Sequence, residues 1–384
     1  MHSHHVPPYL VVSCLLIANI SAGYSQPIAL SPVVKMESWM VCPVYSKDVA
    51  GKGSINNDLF FRRLRLGAKG NIRDRLSCHF SLAADQLGIN EENPIKGKYR
   101  GVYVWNAYID CKGFRNSDIL HIHTGYLWAA VSREFNTSPW NVPSLDKSYA
   151  TAIFRNFTTG KNNGIESGLA IGGNYHKGPM GFMYRTGMYY PEKYTGSSLW
   201  NPLLTGRMVF VLGDPEQPKY KYMTSSNPFR KRKGISLGTG GSFQGRTNKQ
   251  LSETDSVYFQ YNVTGGIDLL FEYNFIHVDA EYYLMERRHE DSSDTYQARE
   301  WHVRIAFRLE PVKDLCLQPA CMVSGYHGTG DLFQAGEFRM LDIGCNVYPE
   351  KLKTSLGLHY VIQKGSLAPA ASGYITLQVR VMIA

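Results

Sequence analysis

The chain has 384 residues, a formal net charge of +9 and 43% hydrophobic residues. Its mean hydropathy of −0.26, with no apolar run of about 20 residues, excludes a protein that crosses a membrane with helices. The cations are spread through the chain. The one dense cluster, Arg230 to Lys233, follows Pro228 in a loop-like stretch, so no nucleic-acid partner is expected and anionic solutes make better use of the charge.

Residues 1–26 read as a signal peptide. Leu10 to Ile20 is an apolar run too short to span a bilayer, and Ser21, Ala22 and Gly23 follow it. The leader is off pattern in one respect, carrying His2, His4 and His5 where Lys or Arg is usual. Cleavage is expected between Gly23 and Gln26, leaving 27–384 as one domain.

Residues 29 to 58 show little pattern, with one strand expected around Trp39 to Tyr45. The clearest segment follows at Phe60 to Gly70. Written as a strand, it puts Leu64, Leu66 and Ala68 on one face and Arg63, Arg65, Gly67 and Lys69 on the other. When such alternation recurs behind an export signal, the apolar face meets lipid and the charged face lines a wet lumen. Arg75 to Asp85 repeats it after a short turn at Asn71 to Asp74. Tyr103 to Cys111 is expected to turn Tyr103, Trp105, Ala107, Ile109 and Cys111 outward, with Asn106, Tyr108 and Asp110 inward. Leu120 to Tyr126 brings His121 and His123 inward.

A long connection from Ala129 to Asn163 then interrupts the series; a loop of this length inside a compact protein is usually functional, and in a pore it can fold inward and narrow the lumen. Further strands are expected at Ile165–Tyr175, Met180–Tyr190 and Gly206–Leu212, then, after a second long loop at Gly213 to Lys233, at Ile235–Phe243, Val257–Val263, Ile267–Phe275 and Val278–Leu284. Trp301 to Leu309 places His302, Arg304 and Arg308 opposite Trp301, Val303, Ile305, Phe307 and Leu309. Cys316–Tyr326, Phe338–Tyr348, Ser355–Gln363 and Tyr374–Ile383 close the series. The fold class is all-β: a transmembrane antiparallel β-barrel of about 16 strands, within a range of about 14 to 18. Asp268, Glu272, Asp279 and Glu281 fall on polar faces of neighbouring strands, so the lumen field is expected to be mixed, cationic on one wall and acidic on another.

Of seven cysteines, Cys14 lies in the leader. Cys316 and Cys321 flank a turn expected near Pro319 and form the one candidate bridge. The 25 Tyr suit aromatic girdles at two membrane interfaces.

Several segments resemble the phosphate-selective porin O and P family. Arg62-Arg63-Leu64-Arg65-Leu66-Gly67-Ala68-Lys69-Gly70 is similar to that family's first strong strand. Asn106 to Asp110, Gly125-Tyr126-Leu127, Arg133-Glu134, Thr137-Ser138 and Asp342 to Pro349 follow in the family's order. The resemblance implies a 16-stranded outer-membrane porin, often a homotrimer, that passes anions by diffusion. Two positions depart at the start of the constriction loop, where Trp128 replaces a cation and Ala130 a proline, and the C-terminus lacks the usual terminal aromatic.

The function expected is passive diffusion of small hydrophilic solutes across the outer membrane, favouring anions such as phosphate, with outer-membrane lipid and small anionic or polar solutes as partners. Pore-lining candidates are Arg63, Arg65, Lys69, Arg133, Arg155, Arg304 and Arg308, because basic lumen residues replace part of an anion's hydration. No catalytic, cofactor-binding or metal-binding residue is expected. Two alternatives stand beside this reading. One is a surface-binding barrel presenting Tyr- and Gly-rich extracellular loops at Tyr189–Asn201 and Gly213–Lys233. The other is an outer-membrane hydrolase built on Asp110, His121 and His123.

Overall fold

The computed structural model describes residues 29–46, 57–72, 75–90, 99, 101–191, 201–224, 231–250, 256–290, 295–330, 333–368 and 371–383. The leader at 1–26, turn residues 73–74, connection residues 192–200 and Arg230 lie outside them.

Sixteen antiparallel strands make one wall. They are β1 (Ala29–Ser46), β2 (Asp58–Ile72), β3 (Leu76–Leu87), β4 (Tyr103–Phe114), β5 (Ser117–Trp128), β6 (Ile165–Lys177), β7 (Met180–Tyr190) and β8 (Leu203–Gly213). Then come β9 (Lys233–Gln244, continued at Thr247–Gln250), β10 (Ser256–Tyr273), β11 (Ile276–His289) and β12 (Thr295–Phe307, continued at Leu309–Val312). The last four are β13 (Leu315–Thr329), β14 (Gly336–Pro349), β15 (Thr354–Lys364) and β16 (Ala371–Ile383). β1 pairs with both β2 and β16, from Val34 opposite Ile383 to Ser46 opposite Ala371, so the sheet closes on itself and has no edge. Closure is what allows every strand to satisfy its backbone in lipid.

The alternation read from β2 and β12 sorts the side chains as lipid and water require. Leu66, Val303, Ile305 and Phe307 are exposed outside, while Arg63, Arg65, His302, Arg304 and Arg308 are buried inside. Outward aromatics, among them Phe114, Tyr175, Phe210, Tyr273 and Phe307, gather where the short turns lie, as in the girdle of a membrane interface. In bacterial barrels that end is periplasmic.

Four expectations change. Val257–Val263 and Ile267–Phe275 are not two strands: Gly265 and Gly266 stay extended between Gly241 and Gly240 on one side and Leu284 and Tyr283 on the other. A Cβ at Gly266 would sit 2.2 Å from the Tyr282 carbonyl and 2.6 Å from Tyr283 Cγ, so glycine is there for the close approach of β11 and its ring and not for a turn. Tyr103 and Trp105 face inward, because the register slips after Ser81: Ser81 pairs with Asn106, Leu82 with Val104, and Trp105 is the extra residue. A bulge reverses parity for everything beyond it. β1 begins far earlier than Trp39.

The fourth concerns Cys316 and Cys321. Both are free thiols on β13, and Pro319 lies mid-strand opposite Cys345. Five residues of strand separate the pair by about 17 Å and turn them to opposite faces, beyond any disulfide span. All six cysteines of residues 27–384 should therefore react with an alkylating reagent in denatured, unreduced protein, as counted by mass spectrometry.

Candidate functional site

The lumen is filled asymmetrically by the 129–164 connection, which folds inward. Ser132 caps α1 (Arg133–Asn136) by accepting from Phe135 N, and Ser148 caps α2 (Tyr149–Thr159) by accepting from Ala150 N. Gly160, at φ 77°, ends α2 in the left-handed conformation that glycine takes freely. Apolar side chains of α2 then pack on the inner wall: the Phe154 ring lies 5.2 Å from Tyr283, and Phe157 lies 5.7 Å from Tyr296. Tyr283, Met285, Tyr296, Met322 and Phe338 point into the barrel to receive them.

Charged contacts fix the rest of the loop. Arg133 donates from both ends of its fork to Glu216, at 2.9 and 2.6 Å, and from Nε to Asp268 at 3.1 Å. Arg207 holds the same Asp268 at 3.0 and 2.6 Å. Arg304 bridges Asp279 (2.6 Å) and Glu134 (3.0 Å) and donates from Nε to Ser144 Oγ at 2.8 Å. Glu134, Asp279 and His302 bring three potential ligand atoms together, but the Arg304 guanidinium already occupies both carboxylates, so the group is a buried ion-pair knot. Arg155 donates to the Phe135 carbonyl, Arg308 to Glu272 at 2.5 Å, and Arg65 to Asp85. Arg63 pairs with Glu37 at 2.7 Å and Asp146 at 2.5 Å. A bulge opposite Glu37 and Ser38 leaves Arg62 unmatched, so two successive arginines reach Asp146.

Burial alone would raise the Asp146 carboxyl, but Arg63 and Arg62 outweigh it and hold it below the ordinary carboxylate range. Burial likewise opposes Glu216, and Arg133 overcomes it. Such groups stabilise fully above the unfolded-chain pKa and lose that stability only as pH falls through the lowered value. Conductance should thus be alike at neutral pH and at about pH 5 as far as these anchors decide it.

The second long loop is not extracellular. Residues 214–224 leave β8 at the short-turn end and enter the lumen from below. Thr224 N donates to the Asn136 carbonyl at 3.2 Å, Tyr222 Oη donates to the Trp128 carbonyl, and Glu216 takes Arg133. Two loops from opposite ends thus meet in the middle. Tyr220 and Tyr222 lie over His121 and His123, with ring centroids 4.6 and 4.5 Å apart. Asp110 pairs with His121 at 2.9 Å, and among the described residues no serine or threonine hydroxyl bonds to either histidine.

The lumen is left with unequal halves. Between the loop and β10–β12 only about 50 Å³ remains, lined by Arg133, Glu134, Asp279 and Arg304 among others. Between the loop and β1–β4 an open cavity of about 1050 Å³ persists, lined by nine Lys or Arg and four acidic side chains. Arg63, Arg65, Lys69 and Arg155 border it; Arg308 borders neither space. Of the seven residues singled out in the sequence, six arginines are tied to carboxylates or backbone, and Lys69 has no such partner among the described residues. Lys35 and Lys221 join it in facing the cavity without a carboxylate. Lys35 sits in the unpatterned N-terminal stretch, and Lys221 arrives on the second loop, so no local signal marked them.

A closed 16-stranded wall with an inward constriction loop defines a porin-like outer-membrane β-barrel. No protein-family model matches the chain, and no curated protein matches it in sequence. Solved structures do match its shape. An anion-selective porin from Comamonas acidovorans is 11% identical at TM-score 0.58, covering 93% of this chain and 100% of that one. OmpT of Vibrio cholerae in its trimer form is 10% identical at TM-score 0.56, with the same coverage. The outer membrane channel DcaP of Acinetobacter baumannii is 12% identical at TM-score 0.51, covering 94% and 99%.

Proposed function

We propose that this protein is a passive diffusion pore of the outer membrane that favours small anions, phosphate among them. The observation that carries the reading is the uneven neutralisation of the lumen. Asp268, Glu272, Asp279 and Glu281 are buried; the first three lie in ion pairs with arginine, and Glu281 accepts from Ser132 Oγ and Glu134 N on the loop. The open cavity meets the cationic wall instead. Lys35, Lys69 and Lys221, which have no carboxylate partner among the described residues, offer weak successive sites that replace part of an anion's hydration without trapping it. The likeness to an anion-selective porin and the family resemblance of the Arg62 to Gly70 strand agree with this. A homotrimer and removal of residues 1–26 on export belong to the same proposal.

The test is single-channel recording of detergent-purified protein in a planar bilayer under a salt gradient. Stepwise openings with an anion-favouring reversal potential are expected. Changing Lys35, Lys69 and Lys221 together to alanine should move that potential most of the way to zero while the folded, heat-modifiable barrel remains. A cation-favouring potential, or no conductance from folded protein, would overturn the reading.

A further inference from the structure

The outer wall carries a feature that a diffusion pore does not need. Across β9 to β14 an open groove of about 730 Å³ lies on the membrane-facing side. Its floor follows one ladder of paired residues: Ile267 opposite Tyr282, Tyr282 opposite Trp301, Trp301 opposite Gly325, and Gly325 opposite Arg339. Gly325 makes the depression. A Cβ there would lie 2.7 Å from Trp301 Cε2 and Nε1, so the indole rests directly on the strand backbone. Val303 and Val323, paired with each other, extend the apolar surface toward the middle of the wall.

The rim of the groove is cationic where an apolar wall would be expected. Arg299 is paired in register with His327, and both are exposed outside. Arg299 lies four residues inside the start of β12, beside the exposed Leu284, and has no carboxylate partner among the described residues. Among the described residues Arg339 has only Glu337, at 3.9 Å, as a carboxylate partner, with both side chains largely exposed. These residues sit at the end of the barrel opposite the short turns, the extracellular side. An arginine on the lipid face is unfavourable unless it reaches water or an anion, and its planar fork suits a phosphate ester.

We propose that this groove binds one anionic lipid, with Arg299 and Arg339 holding a phosphate on its head group and an acyl chain lying over Tyr282, Trp301, Val303 and Val323. The site faces away from the lumen. It requires the barrel to sit in the outer membrane but not to conduct. An apolar floor with a basic rim matches an amphiphile whose charge and chain meet at the interface. A second copy of this chain would have to present an acidic edge to the same rim.

Native mass spectrometry of the full barrel in detergent, titrated with bisphosphorylated lipid A or with zwitterionic phosphatidylethanolamine, tests the idea. Wild-type protein should retain the phosphorylated lipid in preference to the zwitterionic one. The Arg299→Ala/Arg339→Ala variant should lose at least several-fold of that retention. A Lys177→Ala/Lys313→Ala variant, changed at the short-turn end, should keep it. Heat-modifiability on a gel shows that each variant is folded. Gly325→Leu, which fills the depression, should weaken retention with the arginines intact. Equal retention of both lipids, or unchanged retention by the arginine variant, would overturn the site. So would loss of an oligomer, without any loss of lipid, in the arginine variant, since that would make the groove a contact between copies.

Discussion

Changing Arg304 to alanine is expected to destabilise the folded barrel by about 3–5 kcal/mol, the usual cost of leaving a buried charge without its partner. Arg304 is 2% exposed and is the guanidinium that Asp279 and Glu134 share, beside the His302 imidazole at 2.9 Å from each. Its loss leaves both carboxylates in a space too small for bulk water and unties Ser144 as well. Urea titration of the barrel in lipid vesicles, followed by the heat-modified gel band, measures the effect. Arg304→Lys should fall between the two, since one ammonium keeps the charge but cannot bond two carboxylates and a hydroxyl in a fixed fork. A variant as stable as the parent would show that loop and wall are not tied through this knot.

Replacing residues 133–159 with a short Gly-Ser linker should have the largest effect on transport. The conductance step should grow several-fold, because the loop fills the half of the lumen against β10–β13. Ion preference should change with it. The linker exposes Asp268, Glu272, Asp279 and Glu281 to the pore while removing Arg133 and Arg155, so the reversal potential should shift toward cations. Planar-bilayer recording reads both quantities from one preparation. A wider pore that keeps its anion preference would place selectivity wholly on the β1–β4 wall and refute the idea that the loop masks the acidic one.

Much of the wall was legible because lipid and water impose opposite demands on alternate residues. β2, β5 and β12 obey that rule closely, and their inward side chains could be named from parity. The rule failed where the interior is not water. On β1 the inward face carries Val33, Glu37, Trp39 and Val41, all buried, so no polar face alternates with an apolar one. On β11 the inward series runs Asp279, Glu281, Tyr283, Met285, Arg287, and the two apolar members mark where α2 docks. That interruption was the available signal for the loop's seat. The inward turn of Trp105 had no such signal, since a single bulge is set by pairing with β3. Nor did the partners of the arginines: Arg304 meets Glu134 across 170 residues of chain, and Leu145 meets Arg380 across 235.

Those separations also bear on the order of assembly. The carbonyl of Leu145 accepts from Gln378 and Arg380 on the last strand, at 3.0 Å each, and its N–H donates to Asp342 on β14 at 2.7 Å. None of these donors or acceptors is in place until the C-terminal strands have joined the sheet, and contacts so distant along the chain form late. A growing barrel must therefore carry the Leu145 end of its loop without these contacts, whatever the earlier strands already hold. The last anchors of the constriction, at Leu145, are set only when β16 zips onto β1.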